Sequence, residues 1–485
     1  MLASSPPDLP RAGAVADRMR DERLGGACWA APPLDLVLRG AGLALVRPYG
    51  HAGQGRAMLL AALARHDAAR VVLLVPERGA WAALARDALA WGVRIAREPV
   101  DPWPLLGAGH VLHVGGDDDL ALLGLIAGVR VHCHGVGAYA GWGAEEAGAA
   151  APRDARHLVA AALLDGLRCA DPFRARVAPI EDAVDQLAAW RRQAESNRGV
   201  GCLAGMSVWK RRRMREMFHD GVRAPPVRRT AAGAVAAAAA RGGAVAVWSS
   251  RVPPGLLARA AMAGVQVRLV EDGFIRSVGL GCDFLPPCSV VADGRGMYFD
   301  PSRPSDLEHL LLHAAFTSEL RARGRRLIDL LVRRGVTKYN TGAGAGAALA
   351  ASPGRRRILV PGQVADDASV RLGGGAVRGN LPLLAAVRAA NPDALILYKP
   401  HPDVEAGHRP GALAERCVRA YADELVSGAS IPALVAGVDE VHTLTSLAGF
   451  EALLRGRRVV AYGQPFYAGW GLTRDVAPMP RRGRQ

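Results

Sequence analysis

The chain has 485 residues, half of them hydrophobic and 22% charged, with a formal net charge of +16. That length supports two or three domains with sizeable cores, and the composition excludes an intrinsically disordered protein. No window reaches ~18 uninterrupted apolar residues, so no transmembrane helix is expected, and seven cysteines without CxxC or Cys/His spacing argue for a reducing compartment and against structural zinc.

Of the 61 basic residues, 58 are arginine. Part of this bias is compositional, but arginine density still implies anionic partners. There is no helix-turn-helix, RNP-like motif or aromatic-interleaved basic stripe, so nucleic acid is disfavoured. A membrane surface carrying an anionic acceptor is favoured. Only three lysines occur, Lys210, Lys338 and Lys399. In a chain so biased to arginine, a retained lysine hints at a place where a compact ammonium is wanted.

Residues 1–35 read as an N-terminal extension. They contain adjacent prolines and an early aspartate, and lack the basic start and apolar core of a signal peptide. Residues 36–150 read as a copy of a later segment. AYAGWG (138–143) matches FYAGWG (466–471) at an offset of 328, and GVRVHCHG (128–135) lies over GRRVVAYG (456–463) at the same offset. LLAALARHDAARVVLLVP (59–76) lies over LLAAVRAANPDALILYKP (383–400) at an offset of 324. Three ordered blocks with one small gap indicate an internal repeat. The apolar framework survives in the first copy, but its polar positions do not. Val75 and Glu77 stand where the second copy has Lys399 and His401, Asp117 and Asp118 stand for Thr445 and Ser446, and Leu123 stands for Glu451. Residues 36–150 are therefore expected to form a folded but chemically inactive Rossmann-like lobe.

Residues 151–200, with Pro152 and Pro172, read as a helical linker. In 201–350, GAVAVWSS (243–250) is a predicted strand, PPGLLARAAMAG a helix with proline near its first turn, and VQVRLV (265–270) the next strand. In 351–475, strands are predicted at 358–361, 395–398, 438–443 and 459–462, with helices at 379–390 and 446–455. This alternation indicates parallel sheets. The tail, 476–485, looks frayed.

Four polar segments follow predicted strands, where open α/β sheets bind ligands. Glu271 and Asp272 come just after the strand at 265–270, and Gly273 permits a sharp turn. One carboxylate could attack or stabilise an oxocarbenium-like centre while another group handles the acceptor proton. On spacing alone the pair equally fits a turn with an aspartate cap. YKPHPD (398–403) offers Lys399 and His401 to a phosphate, on a loop stiffened by two prolines. Thr445 or Ser446 caps the helix at 446–455, whose free N–H groups attract phosphate, and Glu451 within it can accept from ribose hydroxyls. PGQVADDASVRLGGG (361–375) is a glycine-rich loop without a Walker or GxGxxG pattern.

Taken together, the segments 205–218, EDGFIRSVGLG (271–281), 286–310, TKYN (337–340), PGQVADDASVR, YKPHPD and 439–473 resemble the KpsC-type capsule polysaccharide proteins, the retaining β-Kdo transferases. The resemblance covers about 200–475. It implies an α/β GT-B glycosyltransferase with two Rossmann-like lobes, 201–350 on the acceptor side and 351–475 for the CMP-sugar, beside the extra N-terminal Rossmann-like lobe. It implies a CMP-β-Kdo donor, no metal or other cofactor, and a lipid-linked Kdo acceptor of lysophosphatidylglycerol type. It further implies a cytoplasmic protein peripheral to the inner membrane surface, with a second Kdo transferase or capsule export proteins as partners and no nucleic acid. Carried over, Asp272 is the nucleophile and Glu271 its neighbour. Lys399 and His401 hold the CMP phosphate. Ser446 and Glu451 hold the nucleotide, and Gln363 and Thr445 complete the donor-binding set. Arg276, four residues after Asp272, is our assignment for the Kdo carboxylate. The family commonly carries two complete modules; here the first is reduced to its donor-type lobe. A non-catalytic scaffold of the capsule assembly complex, and a transferase of another CMP-activated acidic sugar, are the alternative readings.

Overall fold

The computed structural model describes residues 7–33, 42–76, 79–140, 155–280, 283–340, 354–479 and 481–483. The chain divides into two compact units, Met1–Arg198 with Phe218–Ala224, and Gly199–Met217 with Pro225–Gln485.

The first unit is built on a five-stranded parallel sheet. Its strands are β1 (Leu43–Val46), β2 (Val71–Pro76), β3 (Arg94–Glu98), β4 (Gly109–Gly115) and β5 (Arg130–His134), in the order β3-β2-β1-β4-β5. Every residue of β1 is buried, as expected for a central strand covered on both faces. The first residues are not an appendage to this sheet. Helix Leu9–Asp21, capped by Asp8, buries Ala12, Val15 and Met19 in the same core as Leu43, Leu45 and Leu112. Val184 and Ala188 of helix Ile180–Arg198 join that core, so much of 151–200 is structural wall. Between them lies an antiparallel hairpin, β6 (Cys169–Asp171) and β7 (Arg176–Ala178), that the sequence reading did not foresee. Arg191 ties the pieces together. Its buried guanidinium donates to Asp101 at 2.7 Å and to the carbonyls of Arg23 and Cys28. Glu77 and 141–143 of the repeat lie outside the described residues.

The second unit holds two sheets. The first runs β12-β11-β10-β8-β9, with β8 (Val200–Ala204), β9 (Val227–Arg228), β10 (Ala244–Trp248) and β11 (Val267–Asp272) parallel, and β12 (Val290–Asp293) antiparallel at the edge. Pairing with β12 carries β11 two residues further than predicted. Glu271 and Asp272 are therefore its last two residues, opposite Val291 and Val290, rather than residues of a loop. The second sheet runs β15-β14-β13-β16-β17-β18, all parallel. Its strands are β13 (Arg357–Pro361), β14 (Leu395–Lys399), β15 (Glu424–Leu425), β16 (Glu440–Thr443), β17 (Arg458–Ala461) and β18 (Arg474–Asp475). Its first five strands repeat the order of the N-terminal sheet, so the two copies share a topology as well as a sequence pattern. The architecture is α/β, with the two Rossmann-like lobes of a GT-B fold and a further Rossmann-like lobe before them.

Of the tail that was expected to fray, Arg481 and Arg482 are held in place. Arg481 and Arg482 each place Nε on the buried carboxylate of Glu308, at 3.2 and 3.1 Å. Arg482 also donates to the carbonyl of Ala468, so the tail joins the first lobe to the second. Among the described residues, no helix is long and apolar enough to cross a membrane.

Arg191→Met would leave Asp101 buried without its partner. Removing one member of a buried pair typically costs about 3–5 kcal/mol. A loss of that size is expected in the urea unfolding of the N-terminal unit; a change below about 1 kcal/mol would show that the pair is dispensable.

Candidate active site

In the second unit the carboxyl ends of both sheets open on one cleft of about 790 Å³. All nine residues singled out from the sequence line it: Glu271, Asp272, Arg276, Gln363, Lys399, His401, Thr445, Ser446 and Glu451.

On the first wall, β11 delivers Glu271 and Asp272. Gly273 follows because there is no room for a side chain: a Cβ there would come within 2.2 Å of Ser289 Oγ. Its φ is not in the left-handed region, so closeness rather than turn geometry requires glycine. Asp272 Oδ2 accepts from Arg276 Nε at 2.8 Å, and Oδ1 faces the ammonium of Lys210 at 3.6 Å. Oδ1 is buried and accepts no hydrogen bond. Glu271 accepts from the Ser249 hydroxyl at 2.6 Å and from the Asp272 N–H. Burial raises its pKa, against those two hydrogen bonds, and the charge of Asp272 adds to the rise. Lys210 is nearly buried, with its ammonium 3.5 Å from the Trp248 ring centroid. Burial lowers its pKa, and the two carboxylates work the other way.

Arg276 lines the cleft as well. It is 1% exposed, and it also donates to Ser277 Oγ and the Leu285 carbonyl. With Asp272, its guanidinium thus has three protein partners.

On the second wall, Gln363 is a positioning residue. Its Nε2 donates to Thr445 Oγ1 at 2.8 Å and its Oε1 accepts the Thr445 N–H at 3.0 Å, tying the loop after β13 to the loop after β16. Ser446 caps helix Leu447–Leu454 by accepting from Ala448 N–H. Lys399 is buried and donates to Glu405 at 2.7 Å. His401 accepts the Asp403 N–H on Nδ1, which assigns the ring proton to Nε2. Burial pushes its pKa down to about 4, so near neutral pH it is an uncharged Nε2–H donor.

The TKYN segment bridges the walls. Thr337 and Asn340 exchange two hydrogen bonds, which close the loop. The Lys338 and Tyr339 carbonyls then accept from Arg276 and Gly279 N–H. On the other side the Lys338 N–H donates to Glu451 Oε1 at 3.1 Å. Phe274 adds an apolar bridge, stacking on Phe466 at 4.8 Å between centroids. The sequence reading gave Lys210 and Lys338 no role, although all three lysines line the cleft. Their rarity was the signal for them; for Trp248 and Ser249 only their place at the end of β10 could have served.

The matching edge of the N-terminal lobe is built differently. A cavity of about 550 Å³ there is lined by Asp117, Asp118 and Asp119. Asp118 accepts from Leu120 N–H and from Arg47, so a carboxylate already occupies the helix start where an anion would bind.

Burial raises Glu451 from 4.5 to about 7, which means the folded chain holds this proton more tightly than the unfolded one. Its contribution to stability is greatest below about 4.5 and falls as pH rises to about 7. Glu451→Gln keeps an acceptor for the Lys338 N–H but cannot ionise. Urea unfolding should show less loss of stability across that window in Glu451→Gln than in the wild type, and parallel curves would refute the assignment.

Comparison with known proteins matches the family described as "Capsule polysaccharide biosynthesis protein" at residues 243–333 and 323–485, together half of the chain. The chain is 37% identical over 376 residues to a capsule polysaccharide modification protein, LipA, of Neisseria meningitidis serogroup A, covering 74% of this chain and 52% of LipA. It is 44% identical over 218 residues to a lipopolysaccharide-processing protein, LpsZ, of Rhizobium meliloti, covering 44% of this chain and 50% of LpsZ. The chain thus spans about half the length of these curated relatives. Among solved structures it is similar to the Thermosulfurimonas dismutans KpsC β-Kdo 2,4 transferase, with a TM-score of 0.50 and 30% identity over 59% of this chain and 87% of that one. The order of the sheets, the cleft between them and these matches agree: the chain belongs to the KpsC-type capsule polysaccharide biosynthesis family.

Proposed function

We propose that the cleft transfers Kdo from CMP-β-Kdo, with retention, to a lipid-linked Kdo acceptor on the way to capsular polysaccharide. The observation that carries this reading is the placement of Asp272. Its carboxylate ends a strand, is held by Arg276, and lies on the wall of a cleft that also holds His401 and Lys399.

In the first step the Asp272 carboxylate bonds to the anomeric carbon while the bond from that carbon to the phosphate oxygen breaks, and its electron pair leaves on CMP. His401 Nε2–H, Lys399 oriented by Glu405, and the free N–H groups of the helix capped by Ser446 stabilise that leaving charge. In the second step an acceptor hydroxyl bonds to the same carbon, Asp272 is released, and the hydroxyl proton passes to Glu271, whose raised pKa suits it as the base. Two displacements at one carbon restore its configuration. The carboxylate of Kdo is attached to the carbon under attack, so its partner must lie beside Asp272. We assign it to Lys210 in place of Arg276.

No metal is needed in this scheme, because the cations and N–H groups above supply the charge stabilisation. The acceptor places the protein at the inner face of the cytoplasmic membrane. One such centre makes one linkage type, and a second Kdo transferase would supply any other.

Two experiments test the reading. With CMP-Kdo generated in situ and a β-Kdo-terminated lipid mimic, Asp272→Asn should lose transfer by a thousand-fold or more, on the order seen when nucleophiles are removed. Equal product from that variant would remove Asp272 from the chemistry, and no product from the wild type across several acceptors would favour the scaffold. In a second assay, saturating EDTA should leave the rate unchanged, and loss of activity restored by a divalent cation would overturn the metal-free scheme.

A further inference from the structure

Helix Ser318–Arg334 runs for 17 residues, yet none of its described residues is buried. Its sequence, SELRARGRRLIDLLVRR, is nevertheless amphipathic. Leu320, Leu327, Ile328 and Leu331 fall within about 100° of one another around the helix axis. The first three are 43, 51 and 37% exposed. The helix also carries six arginines against two acidic residues. An apolar stripe left in water beside a dense positive charge is the pattern of a helix that lies in a lipid interface. The charge selects among occupants: anionic headgroups complement it, whereas a second copy of the same helix would bring arginines against arginines.

The position of the helix gives the pattern a purpose. Gly335 ends it in the left-handed conformation, with φ of 63°. Thr337, three residues beyond Arg334, begins the segment that lines the cleft. Three residues span at most about 10 Å. The segment hydrogen-bonded to Lys338 and Tyr339 adds Val278, which is 81% exposed.

We propose that helix Ser318–Arg334 is an interfacial anchor: it lies along an anionic phospholipid surface, leucine stripe toward the acyl chains and arginines on the headgroup phosphates, and keeps the Thr337–Tyr339 wall of the cleft beside that surface. The helix's purpose rests on the lipid-linked acceptor proposed above; its lipid affinity does not.

The test is cosedimentation of the full chain with vesicles of mixed phosphatidylglycerol and phosphatidylcholine, and with vesicles of phosphatidylcholine alone. Binding to the anionic vesicles is expected, at least tenfold weaker on the neutral ones and weakened by salt. The triple variant Leu320→Gln, Leu327→Gln, Ile328→Gln should lower the anionic partition at least tenfold while leaving transfer to a water-soluble acceptor unchanged. Arg325→Gln with Arg326→Gln should lower the partition and flatten its salt dependence. Anionic-vesicle binding that is absent in the wild type, or undiminished in both variants, overturns the proposal. So does a triple variant that keeps its lipid binding but converts a dimer to a monomer in sedimentation analysis, which would assign the stripe to a second copy. If no protein transfers Kdo while the lipid partitions differ as expected, the anchor stands and the transfer reading falls.

Discussion

The ion pair between Arg276 and Asp272 is the constraint on which the rest of the cleft depends. A carboxylate at the end of a strand is free to swing unless something behind it fixes its rotamer. Here a guanidinium with 1% exposure does so, and its own position is over-determined. It is held by Ser277 and Leu285 through its side chain and by the Lys338 carbonyl through its N–H. A buried arginine without a counter-ion is strongly unfavourable, so the loop from Gly273 to Ser289 must fold where Asp272 can neutralise it. The edge strand β12 and the close contact of Gly273 with Ser289 complete the same wall.

Ties of different chemistry join the wall bearing Asp272 to the wall bearing His401. The stacked rings of Phe274 and Phe466 supply apolar contact. The Glu451 carboxylate and the Lys338 N–H supply a polar contact. Arg481 and Arg482 straddle Glu308, Arg481 also holding carbonyls of the first lobe and Arg482 carbonyls of the second. The Glu451 contact responds to protons near neutrality, because burial has moved that group to about 7. The cleft is thus framed by links that differ in salt and pH sensitivity, with the reacting groups set between them.

The N-terminal lobe repeats an α/β framework with different polar residues at its carboxyl edge. Its strand order is that of the donor-side lobe, and its apolar core is intact. At the helix start where the second copy presents Thr445 and Ser446, it presents aspartates that accept the helix N–H and an arginine. The dipole of that helix is satisfied internally, so an incoming phosphate would meet negative charge. Meanwhile the first helix and Arg191 make this lobe a single cooperative piece with the segments on either side of it.

Much of this was legible in the amino-acid sequence alone, because it depends on local periodicity and on short-range chemistry. The repeat, the parallel α/β sheets and the polar residues at strand ends follow from which residues recur at which spacing, and all nine candidate site residues do line one cleft. The scarcity of lysine even pointed toward Lys210 and Lys338 without giving them a role. What only the tertiary structure decided concerns partners far apart in the chain. Arg276 turns inward because Leu285 and the Lys338 loop close over it. Arg481 and Arg482 are held because Glu308, more than 170 residues earlier, needs a counter-charge. Glu271 and Asp272 belong to a strand because β12 pairs with them. Spacing along a chain states what a residue can do; the neighbours that fold against it, bringing burial and opposite charge, state what it is left free to do.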